Sequence, residues 1–370
     1  MKRNNELIRA AIAKKRWQNE VLRKDIEYCP YRPKKKNKSK KAVEYIRFPA
    51  NFSIYSADKN KHYKDTMNII YAISRMADMK TKKVHLDFSQ TEYIKAASIL
   101  ILYATIEQAI KSGVNFRIVA FPKDFKATRI IKRSGLEVLC KENTHQPNFD
   151  GDFIPVISGS GGDFRDEIVD FIQHKIYKNK MTPDTESKYG GAVQEAINNV
   201  AYHAYPEIPE SDLKKWWVKC DLAGDQLFLA IYDKGVGIPK TVMNRTWFEE
   251  ILQSTYPALV SQIKRELEKE GIAKKDLLSY KFGIISDAMK IAISMVGDVT
   301  GTEESKHGQG SKSIKALVTE NDQGTLWIYS NNGLYKLNSG IVETYDLQKP
   351  MPGTLLQWNI KVDLDELEKN

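Results

Sequence analysis

Cysteine is scarce in this chain: three in 370 residues, Cys29, Cys140 and Cys220, far apart and without metal-ligand spacing. That count argues against a disulfide framework and against a cysteine-based zinc site. No run of eighteen apolar residues occurs, so no transmembrane helix is expected. No apolar stretch follows the basic N-terminal residues, so no secretory signal is expected either. Internal repeats are missing, and the one low-complexity tract is the lysine run at 34–41. Hydrophobic residues make up 42% and charged residues 28%, enough to bury a core. The length suggests two domains of ordinary size, and the expected location is the cytoplasm.

The charge is unevenly placed. Residues 1–41 hold fifteen Lys/Arg against four Asp/Glu, while the rest of the chain is within one charge of neutral. The pI of about 9.1 therefore describes a leader rather than a nucleic-acid-binding body. In that leader Leu7, Ile8, Ala11, Ile12, Val21, Leu22 and Ile26, with Trp17 among them, recur at helical spacing between basic residues. Cys29-Pro30-Tyr31-Arg32-Pro33 then breaks the helix, and the lysines up to Lys41 read as a solvated tether. A docked amphipathic helix on a charged linker is preferred to nucleic-acid contact, because no aromatic interleaving accompanies the lysines.

Residues 42–150 alternate strand and helix. Strands are expected at Val43–Phe48, Val84–Phe88 and Phe116–Ala120, and helices at Lys64–Ala77, Ala96–Ile110 and Phe125–Arg133, which is an α/β pattern. The run Val84-His85-Leu86-Asp87-Phe88-Ser89, then Tyr93-Ile94 and an apolar helix, resembles a STAS domain, the fold of anti-sigma factor antagonists. In that family an Asp-Ser-Ser/Thr-Gly loop opens the helix and carries the phosphorylated residue. Here Lys95-Ala96-Ala97-Ser98 stands in its place, with Lys95 for the acid and Ala96 for the acceptor. The family's phosphorylation is therefore not expected at that position, and Ser98 is the one hydroxyl nearby.

A Gly-, Ser- and Pro-rich stretch at 145–163 marks the boundary to residues 151–370. On the helix expected over Tyr189–Tyr205, Glu195, Asn199 and His203 are four apart and form one stripe, with Val193, Ala196, Ile197 and Val200 on the apolar side. The stripe's neighbours are small or aromatic rather than charged, which points it at a cavity. The apolar strand Leu227–Tyr232 ends in Asp233-Lys234-Gly235-Val236-Gly237, an acid at a strand end beside flexible backbone. Gly301–Lys312 is a glycine-bearing loop feeding a helix, an arrangement suited to cradling phosphate. Ser311 separates Gly310 from Lys312, so it is not a P-loop.

Taken in this order, Glu195/Asn199/His203, Asp233-x-Gly-x-Gly and Gly308-x-Gly310 resemble the GHKL superfamily, the ATP-binding domains of gyrase, large heat-shock chaperones, histidine kinases and MutL. The resemblance covers residues 160–362 and implies a two-layer α/β sandwich, with Gly324–Ser330 and Gly353–Trp358 as its two final strands. It implies ATP and Mg²⁺ as ligands. Asn199 would ligate Mg²⁺, and Glu195 would orient or deprotonate the attacking nucleophile. Asp233 would accept the adenine amino hydrogen, with Gly235 and Gly237 letting the base lie against the backbone. Gly308 and Gly310 would wrap the phosphates through main-chain N–H groups. Lys306 and Lys312 are candidates for phosphate charge, and His203 for packing or phosphate contact.

The chain departs from the family in an insert at 240–300 and in the lack of a phosphoacceptor-histidine hairpin, which argues against a classical histidine kinase. The expected function is an ATP-driven switch with slow hydrolysis, acting on a separate protein encoded nearby. A serine/threonine protein kinase of the anti-sigma type and a nonhydrolysing nucleotide-gated module are the alternatives. A second copy of the chain and nucleic acid at the leader remain open as partners.

Overall fold

The computed structural model describes residues 12–13, 15–16, 43–55, 61–78, 82–243, 245, 247–269, 285–296, 310–319, 321 and 323–362. Met1–Ala42 and Val43–Asn370 are separate compact units. Most of the leader, Lys306, Gly308 and the segment 297–309 lie outside the described residues.

The first third of the larger unit folds as the alternating pattern requires. Strands β1 (Val43–Arg47), β3 (Lys83–Asp87) and β5 (Asn115–Ala120) form a parallel sheet in the order β1-β3-β5. The two short strands β2 (Asn51–Phe52) and β4 (Tyr93–Ile94) pair beside it. Helices α1 (Lys61–Asp78), α2 (Ala96–Lys111), α3 (Phe125–Arg133) and α4 (Leu136–Glu142) complete the region. The helical spacing of Met67, Ile70, Ile73 and Met76 puts all four on the buried side of α1. Helix α2 buries residues all round its circumference, as its nearly continuous apolar sequence demands. Asp124 caps α3 by accepting from the Ala127 N–H at 2.7 Å.

The remainder is built on a five-stranded antiparallel sheet. Its strands are β6 (Ile157–Ser160), β7 (Lys215–Ala223), β8 (Gln226–Asp233), β9 (Thr325–Asn338) and β10 (Ile341–Lys361), in the order β6-β7-β8-β10-β9. Its helices are α5 (Arg165–Phe171), α6 (Pro183–Asn199), α7 (Ile238–Val242), α8 (Phe248–Thr255), α9 (Pro257–Lys269), α10 (Asp287–Val296) and α11 (Gly310–Thr319). The chain is thus mixed α/β. Among the described residues no helix is long and apolar enough to cross a membrane.

Local differences from the expected elements have local causes. Helix α5 begins at Arg165, because Phe164 sits in the left-handed region at φ 57°, and it continues as a π turn at Ile172–Ile176. The two final strands are longer than expected and form one hairpin, whose turn residues Ser339 and Gly340 both have positive φ (48° and 77°). Two adjacent positive φ values are what a tight hairpin turn needs to follow the strand twist.

Both faces of the five-stranded sheet are apolar, and period-two alternation sends neighbours to opposite sides. Leu227, Leu229 and Ile231 join α5, α6, α10 and α11 in one core. Phe228, Ala230 and Tyr232 join the residues of α1 and α2 in another. The two-layer arrangement of sheet and helices is therefore capped by a third layer, which residues 43–142 supply. Polar contacts fasten that layer: the Trp217 indole donates to Glu107 at 2.7 Å and the Ser158 hydroxyl to the same carboxylate at 2.9 Å. The Tyr63 hydroxyl donates to the Lys349 carbonyl at 2.9 Å. The insert has a small core of its own, formed by Val242, Met243, Phe248, Ile251, Leu252, Ile263, Ile285 and Ile293.

Candidate functional site

On the face of the sheet away from α1 and α2 lies a cleft of about 570 Å³, a volume suited to a nucleotide-sized ligand. Its walls come from α6, the end of β8, the start of α11 and both ends of the insert. Helix α6 begins with Thr182 as cap and Pro183 in its first turn, and it ends at Asn199. The chain then makes a π turn, Val200–Ala204, before leaving the helix axis. Glu195, Asn199 and His203 all line the cleft, so the stripe read from the sequence faces a cavity.

Asp233 is the last residue of β8 and forms part of the same lining. It is 6% exposed, and one carboxylate oxygen accepts from the Gly235 N–H at 2.7 Å. Burial pushes its carboxyl up to about 7, against the lowering effect of the backbone N–H groups of Gly235 and Thr354. Near neutral pH the group is thus balanced between a buried carboxylate, which only accepts, and an acid, which can also donate. Lys234 beside it is pushed down to about 8 by the same desolvation.

Gly235, the first glycine after Asp233, serves the chain's own packing. A Cβ on Gly235 would run into the carbonyl of Ala204, and the neighbouring Val236 N–H donates to that carbonyl at 2.8 Å. The strand end is thereby clamped to the π turn of α6, and Tyr205 reinforces the clamp by accepting from the Lys234 N–H at 3.1 Å. Gly237 lines the cleft, has φ 89°, and abuts the amide of Asn331, whose buried Oδ1 has no hydrogen-bond partner among the described residues. The expectation that both glycines let a ligand approach therefore divides: Gly237 borders the cavity, and Gly235 is a packing residue.

Gly310 opens α11 against the Glu195 carboxylate, which occupies the space a Cβ would need. A carboxylate beside a helix N-terminus is favoured by the helix dipole. Ser311 explains itself structurally: its hydroxyl donates to the Met295 carbonyl at 3.2 Å, tying α11 to the end of α10. Lys312 is exposed on α11 and is not part of the cleft wall. Lys306 and Gly308, the other two loop candidates, lie outside the described residues.

Several lining residues were not singled out from the sequence. Arg245, Trp247, Ser294 and Met295 come from the insert, Tyr202 from the π turn and Thr354 from β10. Thr354 pairs directly with Asp233 across the sheet, and Gly353-Thr354 entering an apolar strand is the signal that could have found it. Arg245 approaches His203, its Nη2 lying 3.0 Å from each ring nitrogen.

Among the described residues no group of three His, Cys, Asp or Glu side chains forms a ready metal cage. The Asn199 amide is half-buried in the wall, so its oxygen suits a hard cation that draws its other ligands from phosphate and water. No protein-family model matches the chain, and no curated protein matches its sequence.

Proposed function

We propose that residues 160–362 are a GHKL-type ATP-binding domain and that the protein is an ATP-dependent switch with slow hydrolysis, acting on another protein. One observation carries this reading: three motifs far apart in sequence, Glu195/Asn199/His203, Asp233 and Gly310, line a single cleft with the desolvated Asp233 carboxylate in its wall. In this reading Asp233 accepts the adenine amino hydrogen, an interaction that favours its ionised form. Asn199 supplies an oxygen to Mg²⁺, which offsets phosphate charge when bound. Glu195 orients the attacking water or takes its proton.

A kinase acting on its own STAS-like region is disfavoured by position. The start of α2, where that family carries its phosphoacceptor, belongs to the layer on the opposite face of the sheet from the cleft. Ser98 is fully buried, so it is not presented to any active site. A kinase reading therefore needs a separate substrate protein, and transfer of γ-phosphate label to such a protein, rather than release as free phosphate, would select it.

Calorimetric titration with ATP in the presence and absence of Mg²⁺ tests the reading. Asn199→Ala is expected to abolish the Mg²⁺-dependent part of binding while leaving the fold intact. Unchanged Mg²⁺ dependence in that variant would remove the assignment.

A further inference from the structure

The cleft contains two acids, Glu195 and Asp233, yet the proposed ligand is a polyanion. The lysines singled out in the sequence do not resolve this, since Lys312 is exposed outside the wall and Lys306 lies outside the described residues. The guanidinium that does line the cleft is Arg245, half-buried between α7 and α8. Its side-chain partner among the described residues is the His203 imidazole, not a carboxylate. Among the described residues this contact leaves the guanidinium charge without an anionic partner.

Arg245 is also mechanically connected. It follows Val242 and Met243 and precedes Phe248, all members of the insert's own core, and the next lining residue, Trp247, belongs to the same turn. The insert closes the cleft a second time at Ser294 and Met295, where the Met295 carbonyl accepts from Ser311 and Lys315 of α11. A shift at Arg245 therefore acts on a cluster that borders the cleft at both ends.

Resting on the nucleotide reading of this cleft, we propose that Arg245 reads the terminal phosphates, exchanging His203 for phosphate oxygens and so reporting the nucleotide's phosphate state to the insert helices α8–α10. A planar guanidinium matches phosphate by paired, charge-assisted hydrogen bonds, which its contact with an imidazole cannot equal.

The test measures the affinities of ATP, ADP and adenosine for wild-type protein, Arg245→Gln and Arg245→Lys by calorimetry. It is paired with hydrogen exchange over Phe248–Thr255. Arg245→Gln is expected to weaken ATP at least tenfold and to leave adenosine within about twofold, with Arg245→Lys in between. In wild-type protein ATP should protect Phe248–Thr255 more than ADP does, and Arg245→Gln should erase that difference. Equal losses for ATP and adenosine would mean a merely structural role and overturn the proposal. So would unchanged ATP affinity in Arg245→Gln, while the nucleotide reading would stand. Failure of wild-type protein to bind any of the three would overturn both.

Discussion

The five-stranded sheet presents two faces built by the same alternating strands, and they are put to opposite uses. Toward α1 and α2, the side chains of Trp217, Phe228, Tyr232 and Tyr329 are buried against apolar partners, with polar atoms confined mostly to bonds such as Trp217 to Glu107. Toward α6 and α11, the sheet also carries an apolar core, but its edge opens into a cleft lined by Glu195, Asn199, Asp233 and Arg245. One face is closed by covalently attached helices, and the other keeps desolvated charge. Residues 43–142 thus form a packing layer on one face of the sheet, and the polar cleft opens on the other.

Truncating the closed face should have the largest effect. Trp217→Ala is expected to cost about 3–5 kcal/mol of stability, read from urea unfolding, because it empties a fully buried site and removes one of the hydrogen bonds to Glu107. Ligand affinity of the remaining folded molecules should not change. A loss below about 1 kcal/mol would show that the layer is not packed as described.

The cleft face should respond in the reverse sense, losing function without losing stability. Glu195→Ala is expected to keep ATP binding and slow turnover by roughly 10²-fold, measured as phosphate release, as loss of a general base does. Turnover at the wild-type rate would mean that Glu195 has no such role.

Asp233 sharpens the comparison further, because it should be a site of strain. Its carboxyl is raised from 3.8 to about 7, so the folded protein holds a proton that the unfolded chain has released. Its stabilising contribution is complete below about pH 4 and is lost as pH rises to about 7. Asp233→Asn, which removes the titration, should therefore gain roughly 1–3 kcal/mol on wild type between pH 5 and pH 8, compared by denaturant midpoints. Parallel pH profiles for the two proteins would contradict the desolvation of this carboxylate.

The smallest effect belongs to the rim of the closed face. Tyr71 donates from an exposed hydroxyl to the Pro350 carbonyl at 2.9 Å. Tyr71→Phe should cost no more than about 1 kcal/mol in the same unfolding measurement, since water can replace that bond.

Much of this was legible in local pattern. The apolar circumference of α2, the spacing of Met67, Ile70, Ile73 and Met76, and the stripe of three residues spaced four apart along α6 and its π turn are properties of a few consecutive turns, and they placed those elements well. Asp233 and Gly310 could be read because an acid or a glycine at an element's end is itself a local signal. Other features depend on residues that meet only in three dimensions. Strand β7, whose Trp216 and Trp217 point to opposite cores, shows no simple alternation of polar and apolar residues, because both faces are buried. The fit of Gly235 against Ala204 and the arrival of Arg245 beside His203 bridge long sequence separations, and nothing adjacent in the chain announces them.

The most direct test of the central claim, that the Asp233 side of the sheet is an adenine-nucleotide site, is the affinity of wild-type protein and Asp233→Asn for Mg-ATP and Mg-GTP at pH 8. At that pH the carboxylate is ionised and accepts from the adenine amino group, whereas guanine presents a carbonyl to it. Wild-type protein should prefer ATP by at least about tenfold, and Asp233→Asn should erase most of that preference, since an amide can also donate. An undiminished preference for ATP in Asp233→Asn, or no binding of ATP to the wild-type protein, would contradict the account.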